Sequence, residues 1–100
     1  MEKILKRGIN KGNRRIWIEG SILRQNDWEN GIRFDKRIED GVLTLSYAPA
    51  GQHKVAGTPT RPIIDLNGKY LNDFMNDHTH FRVRFSDNFI FITPCNEGGN

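Results

Sequence analysis

One hundred residues give one domain with a single modest core, which leaves no room for a second domain or an elaborate catalytic cleft. No apolar run approaches the roughly 20 residues that span a bilayer, and the Met1 to Arg7 opening lacks the long apolar stretch of a signal peptide, so a cytoplasmic location without a membrane partner is expected. The formal net charge of +3 hides an asymmetry: Lys3, Lys6, Arg7, Lys11, Arg14 and Arg15 are opposed before Ile16 only by Glu2, whereas Lys54, Arg61, Lys69, Arg82 and Arg84 are balanced by Asp65, Asp73, Asp77, Asp87 and Glu97.

Along the chain, Ile4 and Leu5 with Ile9 suggest a short first strand, giving way to Gly8 to Asn13, a Gly/Asn segment with turn chemistry. Ile16 and Ile18 form a strand with Trp17 on its opposite face. Glu19-Gly20-Ser21 stops it, and Ser21 is placed to cap a helical turn running through Leu23 towards Trp28. After Gly31, residues 32–38 and 42–47 read as strands joined by Glu39-Asp40-Gly41, since Asp-Gly between apolar strands is the strongest short-range hairpin signal. A connector follows at 48–61, in which Val55 beside Lys54 has room for a short strand. Pro62 to Leu71 then opens a second series: Phe81, Val83 and Phe85 alternate with Arg82 and Arg84, Ser86-Asp87-Asn88 turns, and Phe89 to Ile92 is apolar on both faces. Such a strand needs cover on each side, from the other half of the chain and from the helices or a second chain. Residues 95–100 read as a disordered tail in which Cys95, the sole cysteine, is an incidental exposed thiol.

The second series echoes the first. Ile16, Ile18, Gly20 and Leu23 fall on Ile64, Leu66, Gly68 and Leu71, and Phe34, Ile38, Asp40, Leu43 and Leu45 fall on Phe81, Phe85, Asp87, Ile90 and Ile92, at a period of roughly 47 to 48 residues. A unit so short cannot bury enough apolar surface alone, so each copy is expected to cover the other. The expected organisation is one domain over 1–94, with repeat one at 1–47, the connector at 48–61 and repeat two at 62–94, followed by the tail.

Arg15-Ile16-Trp17-Ile18-Glu19-Gly20, the short helical turn ending in Trp28-Glu29-Asn30-Gly31, the alternating strand and the tight hairpin resemble the AbrB/MazE/SpoVT family of swapped-hairpin domains, in particular its SymE-like branch. Lys3 to Tyr47 carries the resemblance, and Lys54 to Thr93 repeats it in degenerate form. The resemblance implies a mainly β fold with short helices, a swapped-hairpin barrel built here from two internal repeats. It also implies a grip on DNA through basic residues of the first strand and following loop: Lys6, Arg7, Lys11, Arg14 and Arg15, with Lys3 at the edge. SymE-like members have been regarded as toxins acting on RNA. The chain departs from the family in having Glu19-Gly20 in place of the usual proline, and in offering only His53, Lys54 and Arg61 where the first copy has its basic cluster.

The basic arm is the constellation with functional weight, because cations near a glycine-bearing loop neutralise phosphates and let backbone amides approach them. Asn10 and Asn13 are placed to add base or phosphate contacts. Trp17 and Trp28 are expected to pack at the repeat interface rather than stack on bases. His78 and His80 beside Asp77 read as a polar turn and not as metal ligands, and the acids Asp27, Glu29, Glu39 and Asp40 are explained by turns and solvation. No catalytic residue, metal or other cofactor is expected. The chain is therefore read as a small nucleic-acid-binding regulator or toxin–antitoxin-related factor, with DNA ahead of RNA as partner and a homodimer allowed. The alternative is an interaction protein of a phage or mobile element that inhibits a host or defence protein.

Overall fold

The computed structural model describes residues 1–99. In chain order the elements are β1 (Glu2–Lys6), β2 (Gly8–Asn10), β3 (Asn13–Glu19), α1 (Ser21–Gln25), β4 (Arg33–Glu39), β5 (Val42–Tyr47), β6 (His53–Lys54), β7 (Ala56–Gly57), β8 (Pro62–Asn67), α2 (Tyr70–Met75), β9 (His80–Ser86) and β10 (Phe89–Cys95), followed by a 3-10 turn at Glu97–Gly99. The fold is mainly β with two short helices, as the alternation of the sequence predicts. Its strands form two sheets rather than a closed barrel: a larger one in the order β1-β9-β10-β5-β4-β6 and a smaller one in the order β2-β3-β8-β7.

Period-two alternation sets which side chains meet. Ile16, Ile18, Ile64 and Leu66 of the smaller sheet join Phe34, Leu43, Leu45, Phe81, Val83, Ile90 and Ile92 of the larger in one buried cluster, and Leu23, Leu71 and Met75 of the helices complete it. Among the described residues no charged or polar residue is buried with them. Burying each such aliphatic or aromatic side chain contributes about 1.5–3 kcal/mol, which is the main source of stability here. In the smaller sheet Ile16 faces Leu66, Trp17 faces Asp65 and Ile18 faces Ile64. In the larger, Leu43 faces Ile92, Thr44 faces Phe91 and Leu45 faces Ile90.

The two-residue connections are cut by backbone chirality. Asp40 and Gly41 have φ of 53° and 78°, and Lys11 and Gly12 have φ of 51° and 83°, so both turns carry the paired positive φ that matches the strand twist. The second of these turns is shorter than the Gly8 to Asn13 segment suggested. Gly8 to Asn10 pairs with β3 as a strand, because Gly8 and Asn10 keep their ladder partners Arg15 and Asn13.

Further features differ from the sequence reading for local reasons. The first helix ends at Gln25, and Ser21 makes no capping hydrogen bond; five residues hold as a helix only because Ile22 and Leu23 are buried. Trp28 lies beyond the helix, buried in the core, where its N–H donates to the Leu23 carbonyl at 2.9 Å. Trp17 is not a core residue; it lies half-buried on the outer face with the Arg15 guanidinium 4.4 Å above its ring. Val55 is fully buried between β6 and β7. Cys95, expected in an exposed tail, closes β10 and is buried, and Arg82 Nη2 donates to the Gly99 carbonyl at 3.0 Å. Of the expected tail, Asn100 lies outside the described residues.

Candidate nucleic-acid interface

The basic arm runs along two sheet edges. β1 pairs only with β9, β2 only with β3, and a single residue, Arg7, separates them. Lys3 and Lys6 stand exposed on β1, and Lys11 is exposed at the tip of the β2–β3 hairpin. None of the three makes an ion pair among the described residues.

The arginines are held differently. The Arg7 backbone N–H donates to the Thr79 carbonyl at 3.0 Å and its Nε to the His78 carbonyl at 3.2 Å, while Arg14 Nη2 donates to the Asn76 carbonyl at 3.1 Å. Both guanidiniums thus converge on carbonyls of the loop that leaves α2. Asn72 of α2 fixes the hairpin above them: its Oδ1 accepts from the Arg14 N–H at 2.9 Å and its Nδ2 donates to Asn13 Oδ1 at 2.8 Å. That bond occupies Asn13, which the sequence offered as a ligand contact. The Arg14 Nε–H is buried with no partner among the described residues. His78 Nδ1 lies 3.0 Å from the Met75 carbonyl oxygen, an acceptor only, so the proton is on Nδ1. His80 instead meets the Thr79 hydroxyl at 2.7 Å.

Arg15 is committed elsewhere. Its Nε and Nη2 each donate to one Asp65 carboxylate oxygen at 2.8 Å, a bidentate pair bridging β3 and β8, while its flat face lies on Trp17. The hydrogen bonds from Arg15 hold the Asp65 carboxyl below its ordinary range, against a smaller opposing effect of burial. Beside them, Arg61 Nε donates to Glu19 at 2.9 Å, and this bond lowers the Glu19 carboxyl in the same sense. The outer face of the smaller sheet is therefore internally neutralised. Arg15 is the member of the expected arm whose charge is already spent, whereas Lys3, Lys6 and Lys11 keep theirs. The Asp65 pairing was invisible in sequence, because the partners are separated by 50 positions.

This pair has a pH signature. A carboxyl depressed in the folded state stabilises the fold above its unfolded pKa, and that stabilisation is lost as pH falls through the folded value. Asp65→Asn should therefore be less stable than the native chain at neutral pH, with the gap closing below about pH 4. Denaturant titrations at neutral and acid pH check it.

A cleft of about 440 Å³ is lined by residues including Asp27, Trp28, Tyr47, Phe85 and Asn88. None of the basic-arm residues lines it. Among the described residues no helix is long and apolar enough to cross a membrane. No family model, curated protein or solved structure matches the chain.

Proposed function

We propose that the chain is a small nucleic-acid-binding protein of AbrB/SymE-like architecture, a regulator or toxin–antitoxin-related factor that contacts phosphates through Lys3, Lys6, Lys11, Arg7 and Arg14. The observation that carries this reading is the run of exposed lysines, free of ion pairs among the described residues, beside two arginines drawn together by the Asn76–Thr79 loop. Positive groups on a protruding hairpin and adjacent edge strand suit the phosphate backbone, whose charge supplies sequence-independent affinity. Arg15 acts in this account by clamping Asp65 and so stiffening β3, not by binding phosphate.

The architecture proposed is the exchange of strands between two repeats, β1–β5 and β6–β10, in which β6 and β7 of the expected 48–61 connector count with the second copy as counterparts of β1 and β2. It is supported by the strand orders, both of which are unchanged when each of the first five strands is swapped with its counterpart five places on. The registers agree with it, since Trp17 and Asp65, equivalent in the repeat, face one another, as do Thr44 and Phe91. β1 adds to β9 of the second half and β6 to β4 of the first, the interlocking that a swapped arrangement requires.

The test is a duplex-binding titration of Lys6→Gln/Lys11→Gln. Each lost phosphate contact should flatten the log–log dependence of affinity on salt by about 0.9, with the melting temperature unchanged because both side chains are exposed. Unaltered affinity and salt slope in a folded variant would remove the lysine arm from the interface.

A further inference from the structure

The outer face of the larger sheet leaves two aromatic rings open to solvent. β10 lies inside the sheet, between β9 and β5, yet Phe89 is 40 % exposed and Phe91 only half-buried. The helices pack mainly elsewhere, α1 on β3 and β8 and α2 on β3, and the 3-10 turn lies on this face only beside Arg82, one row away from the rings. The two rings stack on each other, centroids 5.7 Å apart and planes 19° from parallel, and the Arg84 guanidinium lies 4.6 Å from the Phe91 ring. Register sets a row across the sheet of Arg84, Phe91, Thr44 and Arg37, and beside it a row of Ser86, Phe89, Ser46 and Asp35. Small hydroxyl side chains thus flank the rings. Arg84 makes no ion pair among the described residues, and Arg37 meets Glu39 only at 3.8 Å, with both side chains exposed.

We propose that this face binds single-stranded nucleic acid, with unstacked bases lying on Phe89 and Phe91 and phosphates meeting Arg84 and Arg37. The proposal rests on the nucleic-acid reading above but uses a different surface and a different form of the ligand. Exposed aromatic rings on a sheet, bordered by cations, form a stacking platform that tolerates any base because every base has a π-face. A duplex keeps its bases stacked inward and cannot use the rings. A protein partner fits less well, since a stable protein interface buries an apolar centre across about 1,000 Å² or more, and here two rings are bordered by polar side chains, Arg84, Arg37, the hydroxyls and, at the end of the Phe89 row, Asp35.

Phe89→Thr/Phe91→Thr keeps strand propensity while removing the platform. Binding of a labelled oligothymidylate and of a mixed-sequence duplex should be measured by anisotropy for the native chain, this variant and Lys6→Gln/Lys11→Gln. The threonine variant should lose roughly tenfold or more in affinity for the single strand, with duplex binding intact and the single-strand salt slope retained. Arg84→Gln should reduce that slope, which gives an independent reading if the threonine variant melts early. A native chain that binds duplex alone, or a folded threonine variant with native single-strand affinity, overturns this inference and leaves the lysine arm standing. Sedimentation as a dimer that the threonine substitutions dissociate overturns it in favour of a second copy of the chain. Failure to bind either nucleic acid removes both readings.

Discussion

Phe34→Ala should destabilise the fold by about 3–5 kcal/mol, a large share of the roughly 5–15 kcal/mol available to a domain of this size. Phe34 is 2 % exposed, meets Trp28 edge-on at 5.9 Å between centroids and stacks on His53 at 5.5 Å. The ring therefore joins β4 to the segment after α1 on one side and to the short strand β6 on the other. Deleting it opens a cavity that the paired backbone around it cannot collapse to fill. At about 4–8 °C per kcal/mol the melting temperature should fall by roughly 12–40 °C, measurable by calorimetry. A fall of a few degrees would mean that this core is far more plastic than its burial indicates.

Gly51→Ala strikes the same place from outside the ring. Gly51 is buried, and a Cβ built on it would lie 2.6 Å from the carbonyl carbon and oxygen of Phe34 and 2.8 Å from its nitrogen. The obstacle is backbone, so no rotamer change relieves it. The chain on either side is also fixed: the Gly51 N–H donates to the Ala48 carbonyl at 2.8 Å, and its carbonyl accepts from Arg33 Nε at 2.9 Å. A loss of about 3 kcal/mol, the upper end for overpacking, is expected from denaturant unfolding. Combining it with Phe34→Ala should give a non-additive loss, because the backbone that one change displaces carries the ring that the other removes; strict additivity would show that the two are uncoupled.

The legible parts of the fold were those written in local chemistry. Asp40-Gly41 announced its hairpin because few other pairs accept positive φ at both positions, and alternation at Phe81, Val83 and Phe85 announced a half-buried strand. Gly8 to Asn10 reads as a turn because glycine and asparagine signal turns by composition, while the pairing that makes them a strand comes from Arg15 and Asn13 on the next strand. The polar neighbours of Cys95 suggest a tail, whereas pairing with His80 of β9 extends the strand through it. Of the candidate site, the cations were readable one by one. Which would be free was not: Arg15 meets Asp65, and Arg7 and Arg14 meet the loop after α2, only once distant segments are brought together. The aromatic platform had a visible signal in the strand apolar on both faces, and what the sequence lacked was any sign that the helices would pack elsewhere.

The most direct test of the account is the affinity of the native chain for a mixed-sequence DNA duplex as a function of salt. If the exposed lysines and their neighbouring arginines form a phosphate-binding arm, log affinity should fall linearly with log salt, with a slope of about −2.7 to −4.5, set by three to five neutralised phosphates at about −0.9 each. A slope near zero, or no binding at low salt, contradicts the account.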